Sequence, residues 1–217
     1  PLSPADIPLL LQCMQGALNQ SSDVQKQAEA YLSQLEARPG FCSCLAEIIG
    51  NKEHDHSARW PAAVHFKNSI SRNWKGRPDS RGLTAEERAH IRTKLAQLLS
   101  QDDNKIATQV ALVYAKIARL DYPREWPTLF QDLLANLSAP GTDTLTVRRV
   151  YLVLHHVLKE LSSKRLPADM RNFAEVAELL FQHVWSQWAA DTQGLLAGLG
   201  AALAPGQPPG APSPQPL

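Results

Sequence analysis

Apolar residues return every three or four positions along nearly the whole chain, and that period admits helices while leaving almost no two-residue alternation for strands. Leu10, Met14, Ala17 and Leu18 share one helical face, and Val24, Ala28, Tyr31, Leu32 and Leu35 share the next. Phe41, Cys44, Leu45, Ile48 and Ile49 fall at i, i+3, i+4, i+7 and i+8 of an apolar stripe. Ala62, Phe66 and Ile70 mark a fourth helix, and Ile91, Leu95, Leu98 and Leu99 a fifth. Ile106, Val110, Val113, Tyr114 and Ile117 make a sixth, with further stripes over 129–137, 147–161 and 173–188.

The breaks between stripes carry helix-boundary chemistry. Thr84 and Glu87 have the spacing of a capping box, in which each side chain satisfies a free backbone N–H. Pro127 and Pro167 suit the first turn of a helix, where a missing N–H costs nothing. Pro39-Gly40, Pro78 and Pro140-Gly141 read as turns. Pairing neighbouring helices gives helix–turn–helix units that begin near Asp6, Phe41, Glu86, Pro127 and Met170, roughly 35–45 residues apart, the period of HEAT-type repeats. Only the two-helix rhythm recurs, since the units do not match as sequences. The expected fold class is all-α, a HEAT-type helical-repeat solenoid of about five antiparallel helix pairs, because one pair cannot bury its apolar face alone. An irregular all-α domain is the alternative that the period leaves open.

The expected organisation is a run of repeats over 6–190, a weak partial helix over 191–203 and a disordered tail over 204–217. Five Gly and six Pro stand in the 24 residues from Gly194 to Leu217, and Gly194, Gly198 and Gly200 weaken a helix carrying Leu195, Leu196, Leu199 and Leu203. No polar capping repeat is visible, and the chain starts at Pro1 rather than Met, so a piece of a longer protein is expected. Apolar residues around Trp185, Trp188 and 195–203 are then expected to stay partly exposed.

Charge narrows the function classes. Lys and Arg number 22 against 21 Asp and Glu, a net charge of +1, so no basic footprint for nucleic acid exists. No run of about 18 apolar residues spans a membrane, and the N-terminus lacks the pattern of a signal peptide. Cys13, Cys42 and Cys44 are too few for a disulfide framework, which suits a reducing compartment.

Catalytic and metal chemistry find little support. Glu53-His54-Asp55-His56 has the residue types of a metal site but no second ligand group at a recognisable spacing, and reads as a solvated loop before a helix. Cys42 and Cys44 form C-x-C without a partner pair, and Cys44 lies on an apolar stripe, where it packs as a small hydrophobe. One ring of His155-His156 is expected to face the core with a hydrogen bond. Ser162-Ser163-Lys164-Arg165 reads as a solvated turn. A Gly-rich phosphate loop, a nucleophile elbow and H-E-x-x-H are all missing, so the chain is read as a binding protein and not an enzyme.

Two stretches go beyond generic repeats. The first holds Ala28, Leu32, Leu35, Pro39-Gly40-Phe41, Leu45, Ile48, Arg59, Phe66-Lys67-Asn68-x-Ile70 and Trp74. The second is Asp121-Tyr122-Pro123-Arg124-Glu125-Trp126-Pro127, with a D-x-P-x-x-W-P pattern after a helix. Pro123 is placed to stop one helix, Pro127 to start another, and Trp126 to wedge between them. Their order and spacing resemble the N-terminal region of the importin-β (karyopherin) superfamily, over about residues 6–190, with its N-terminal domain over 28–100. A third stretch, Ser163-Lys164-Arg165-Leu166-Pro167-Ala168-Asp169 with Trp185, is similar to a member of that family. Pro61 departs from the pattern and is expected in the first turn of its helix, where it is tolerated.

The resemblance implies a nuclear transport receptor, importin type, that binds the small GTPase Ran in its GTP form through the second helices of its N-terminal repeats. It implies protein cargo and nucleoporins as further partners, no cofactor, and shuttling between nucleus and cytoplasm through the nuclear pore. Cargo surface would lie mostly beyond residue 217. An exportin of the same superfamily, or a HEAT-repeat scaffold without Ran binding, are the alternatives. Helical geometry puts Arg59, Lys67 and Asn68 off the stripe of Ala62, Phe66 and Ile70, and Gln109 and Lys116 beside that of Ile106, Val110, Val113 and Ile117. These five are the candidate Ran contacts, since long stems with polar tips suit a transient interface. Asp121, Pro123, Trp126 and Pro127 are the candidate structural motif.

Overall fold

The computed structural model describes residues 1–76 and 82–202, which fall in two compact units, Pro1–Met170 and Arg171–Leu217. Among the described residues there are helices and no strands, and the first unit is a stack of helix pairs. Helix α1 (Ile7–Ala17) packs on α2 (Ser22–Glu36), and α3 (Phe41–Gly50) on α4 (His56–Asn73). Helix α5 (Ala85–Gln97) runs into a 3-10 turn at Leu98–Ser100 that packs on α6 (Asn104–Asp121), and α7 (Leu129–Ser138) lies on α8 (Thr144–Ser162). First helices touch first helices, α1 with α3 and α3 with α5, while α4, α6 and α8 form a second row. That is the two-layer order of a helical-repeat solenoid, and the four pairs start within two residues of the positions near Asp6, Phe41, Glu86 and Pro127 read from the sequence.

Burial follows the apolar stripes most closely in the middle repeats. Phe41, Cys44, Leu45, Ile48 and Ile49 of α3 are all buried, as are Ile106, Val110, Val113, Tyr114 and Ile117 of α6. Cys42 is buried as well, and its thiol, pushed up to about 12 by desolvation, donates to Ser69 Oγ at 3.4 Å. Helix α2 behaves differently: Leu32 and Leu35 are buried, but Val24 and Tyr31 are each 43% exposed, and Leu18 beyond α1 is 68% exposed. The stripe marked the face correctly but overstated its width, because α2 packs mainly on α1 and meets α3 and α4 only near its end.

Three of the expected helices start on aspartate caps that the sequence had not marked as such. Asp55 Oδ1 accepts from Ala58 N at 3.1 Å, Asp103 Oδ1 from Ile106 N at 2.9 Å, and Asp143 Oδ1 from Thr146 N at 2.6 Å. These bonds hold the three carboxyls below the usual carboxylate range; for Asp55 the Ser57 hydroxyl is the larger cause. Only half of the expected capping box forms. Thr84 Oγ1 accepts from Glu87 N at 3.1 Å, but Glu87 Oε1 accepts from Gly40 N at 3.0 Å, one repeat away. Gly40, at φ +89°, is the N-cap of α3, and a Cβ there would sit 2.3 Å from Leu2 O. A carboxylate from α5 therefore serves the start of α3.

Several other expectations need correcting. Pro61 is the sixth residue of α4, in its second turn, and the helix continues because the orphaned carbonyl belongs to exposed Ser57. Pro127 lies in the turn before α7, whose N-cap is Thr128, whereas Pro167 does open α9 (Pro167–Ala202). Neither His155 nor His156 enters the core: the first is exposed, the second half-buried, and their rings meet edge to face at 5.2 Å. Desolvation, the larger cause, and the neighbouring His155 lower the His156 pKa. Helix α9 carries Gly194, Gly198 and Gly200 without a break, so 191–202 continue it. Pro78 and the tail over 204–217 lie outside the described residues. Along α9, Phe181, Trp185 and Trp188 form an exposed aromatic row with successive centroids 6.1 and 5.2 Å apart.

Candidate functional site

The two motif-bearing stretches meet in space. Asp121, at the end of α6, has a fully buried side chain whose Oδ2 accepts from Trp74 Nε1 at 2.9 Å, just past the end of α4. The same oxygen takes a short charged hydrogen bond from Arg92 of α5, and Lys75 Nζ stands 3.6 Å from Oδ1. The Arg92 guanidinium lies over Trp74 at 5.6 Å and Trp126 at 5.8 Å, and Trp126 stacks on Tyr114 at 5.7 Å. Asp121 O also accepts from Glu125 N at 2.8 Å, closing the chain around Pro123 before it turns into α7. Trp126 is 8% exposed, and the cluster around Asp121 brings together residues of three successive repeats.

A second cluster joins the same repeats from the other side. Arg59 of α4 is 5% exposed; its Nε donates to Ile49 O at 3.2 Å, and its Nη2 to Asp102 Oδ1 at 3.0 Å and, by a short bond, to Gln101. Arg149 of α8 donates to Gln101 O at 2.7 Å and Asp102 O at 2.9 Å. Two buried guanidiniums thus grip the linker between the 3-10 turn and α6. Arg59 was expected off the apolar stripe; it is instead committed to the interior, because its neighbour across the helix gap is a polar linker.

Lys67, Asn68 and Lys116 are brought together. They line a shallow groove of about 270 Å³ along the second row of helices, with Ser71 from α4, Leu112 and Ala115 from α6, and Glu160 from α8. Ser71 Oγ donates to Lys67 O at 2.9 Å. Lys116 Nζ stands 3.9 Å from Glu160 Oε1, and Arg119 Nε 3.5 Å from it. Among the described residues, the side chains of Lys67 and Asn68 have no hydrogen-bond or ion-pair partner, although both are half-buried. Gln109 is half-buried two helical turns before Lys116 and does not line the groove. Sequence reasoning missed Ser71 and Leu112, each four residues from a named candidate and so on the same face. Glu160 could not have been found that way, since only helix stacking brings it to the groove.

No group of His, Cys, Asp and Glu among the described residues is arranged to hold a metal ion. Asp55 caps α4, and His56 stacks on Trp60 at 6.2 Å with Nε2 3.3 Å from Asp103. No described helix is long and apolar enough to cross a membrane.

Residues 28–101 match the model of the Importin-beta N-terminal domain, and residues 103–190 that of the Exportin 1-like protein. Over 188 residues the chain is 38% identical to Importin-11 of Homo sapiens, covering 87% of this chain and 19% of that protein. Its fold is similar to the exportin Cse1 in its cargo-free, cytoplasmic state, with a TM-score of 0.69 and 24% identity over 83% of this chain and 20% of that one. It is also similar to Kap95p in a structure where its binding induces the switch loops of RanGDP to adopt the GTP-bound conformation, at a TM-score of 0.58 and 17% identity over 94% of this chain and 26% of that one. The chain spans about a fifth of the length of the curated relatives it matches, 19% for the first two.

Proposed function

The chain belongs to the importin-β (karyopherin) superfamily, and from that premise we propose that it is the Ran-binding, N-terminal part of a nuclear transport receptor of the importin type. The observation that carries this reading is the groove over α4, α6 and α8. It gathers Lys67, Asn68 and Lys116 around an apolar floor of Leu112 and Ala115. Lys67 and Asn68, half-buried and without side-chain partners among the described residues, are placed to find them on another protein. Kap95p, which shares the fold, has a GTPase as its partner, and the GTP form of Ran is the occupant proposed here. Arg59 is left out of the contact set, since its guanidinium is already engaged. Gln109 stays as a flanking contact.

Import is preferred over export because the 38% identical relative is an importin. An importer releases cargo when Ran in its GTP form binds, so the two sites oppose each other through a coupling free energy; an exporter binds both together. Cargo, nucleoporins and shuttling between nucleus and cytoplasm are part of the proposal, and the cargo surface is placed in sequence beyond this chain. The test is binding of the purified chain to Ran loaded with GTP or GDP, with Lys67→Ala and Asn68→Ala alongside. Selective binding of the GTP form, weakened about fivefold by Lys67→Ala, is the expected result. A folded chain that binds neither form sinks the reading and favours a scaffold without Ran.

A further inference from the structure

We propose that Glu160 gates this groove by holding Lys116 back from the incoming partner, so that the partner must supply enough negative charge to draw Lys116 away. The inference rests on the Ran-binding reading above and adds a specificity-determining residue to it. Its basis is an asymmetry between the groove's two lysines. Lys67 on α4 has no ion-pair partner among the described residues, whereas Lys116 on α6 faces the Glu160 carboxylate across the α6–α8 seam at 3.9 Å.

That carboxylate is held in place by something other than Lys116. Arg119 Nε lies 3.5 Å from Glu160 Oε1, and Arg119 Nη1 is itself fixed by Glu160 O at 3.0 Å and Ser163 Oγ at 2.6 Å. Glu160 therefore stays put when Lys116 moves. All three side chains are partly exposed, at 39% for Lys116, 35% for Arg119 and 34% for Glu160, so the Lys116 contact is loose, screened and easily exchanged. An approaching carboxylate finds Lys67 free at once and competes with Glu160 for Lys116. Asn68 beside Lys67 can both donate to and accept from a peptide backbone, and Leu112 with Ala115 offers a floor for a small apolar side chain. The occupant this describes is a segment of the GTPase that carries an acidic residue next to an apolar one. Like charge on Glu160 penalises an acid that lands too near α8, which fixes where along the groove the acid sits.

The test is the affinity of the purified chain for GTP-loaded Ran, measured for wild type, Glu160→Gln, Lys116→Ala and the double variant at low and at near-physiological salt. Glu160→Gln keeps the shape of the side chain and leaves the carbonyl that anchors Arg119. It is expected to bind about threefold more tightly than wild type, with a steeper loss of affinity on adding salt, because one more cation is engaged. The gain is expected to vanish in the Lys116→Ala background. A wild type that binds while Glu160→Gln binds equally or more weakly overturns the gate and leaves the Ran-binding reading standing. A gain that persists without Lys116 also overturns it, because Glu160 would then act as bulk charge. Failure of every variant, wild type included, to bind folded GTP-loaded Ran overturns the Ran reading and the gate together.

Discussion

Two sets of basic side chains in the same row of helices meet opposite fates. At the linker over Gln101 and Asp102, Arg59 and Arg149 are buried and end on carbonyls and polar side chains of the chain itself. In the groove, Lys67 and Lys116 lie half-exposed, one without a partner among the described residues and the other with a loose one. The residue types suit the division. Guanidinium has five donors in a rigid fork and can saturate several acceptors when buried, while an ammonium on a flexible stem is strongly hydrated and readily changes partner. At these two places arginine joins repeat to repeat, while lysine lines the groove proposed to take a partner.

The comparison breaks most dramatically at the motif junction. Asp121→Ala leaves the Trp74 indole and the Arg92 guanidinium without their shared acceptor in the interior, and is expected to cost about 3–5 kcal/mol in urea unfolding. If the cost is below about 1 kcal/mol, the junction is not what locks the repeats together. Arg59→Ala comes next, at roughly 2 kcal/mol, because Ile49 O and Gln101 lose a buried donor. Arg59→Lys should recover little of it, as one ammonium cannot span those acceptors. Both Arg59 variants should bind GTP-loaded Ran in proportion to the folded fraction, which calorimetry alongside binding checks.

Lys67→Ala sharpens the contrast from the other side, with stability unchanged within about 0.5 kcal/mol while Ran affinity falls. Equal losses in both would make Lys67 another structural cation.

The smallest effect concerns pH. Desolvation, the largest cause, lowers the His65 pKa below the ordinary 6.5; Arg72 also lowers it and Glu36 opposes. The unfolded chain takes up the proton first as pH falls, so the stability linked to neutral His65 is present above about 6.5 and lost as pH drops through the folded pKa. His65→Gln is therefore expected to flatten the dependence of Tm on pH between about 7 and 5. A dependence identical to wild type assigns the acid sensitivity to other groups.

How much was legible varied with how local the physics is. Helix existence was readable, and the repeat starts near Asp6, Phe41 and Glu86 to within a residue, while those near Pro127 and Met170 were two and three residues off, because apolar period acts within one or two turns. The capping role of Thr84 was readable for the same reason, while the true destination of Glu87, the Gly40 amide, was not. Lys67, Asn68 and Lys116 were expected beside their stripes, and the structure brings them to one groove.

The sequence by itself determined an all-α repeat chain, the faces its helices bury and the two motifs that mark its family. Only the tertiary structure decided that Trp74 answers to Asp121, that Arg59 turns inward while Lys67 faces the groove, and that Glu160 stands against Lys116. The reason is geometric. Spacing along a helix specifies the direction a side chain leaves it, but its role depends on what the neighbouring helix presents there, and stacking brings together residues about 40–50 positions apart, as in Trp74 and Asp121.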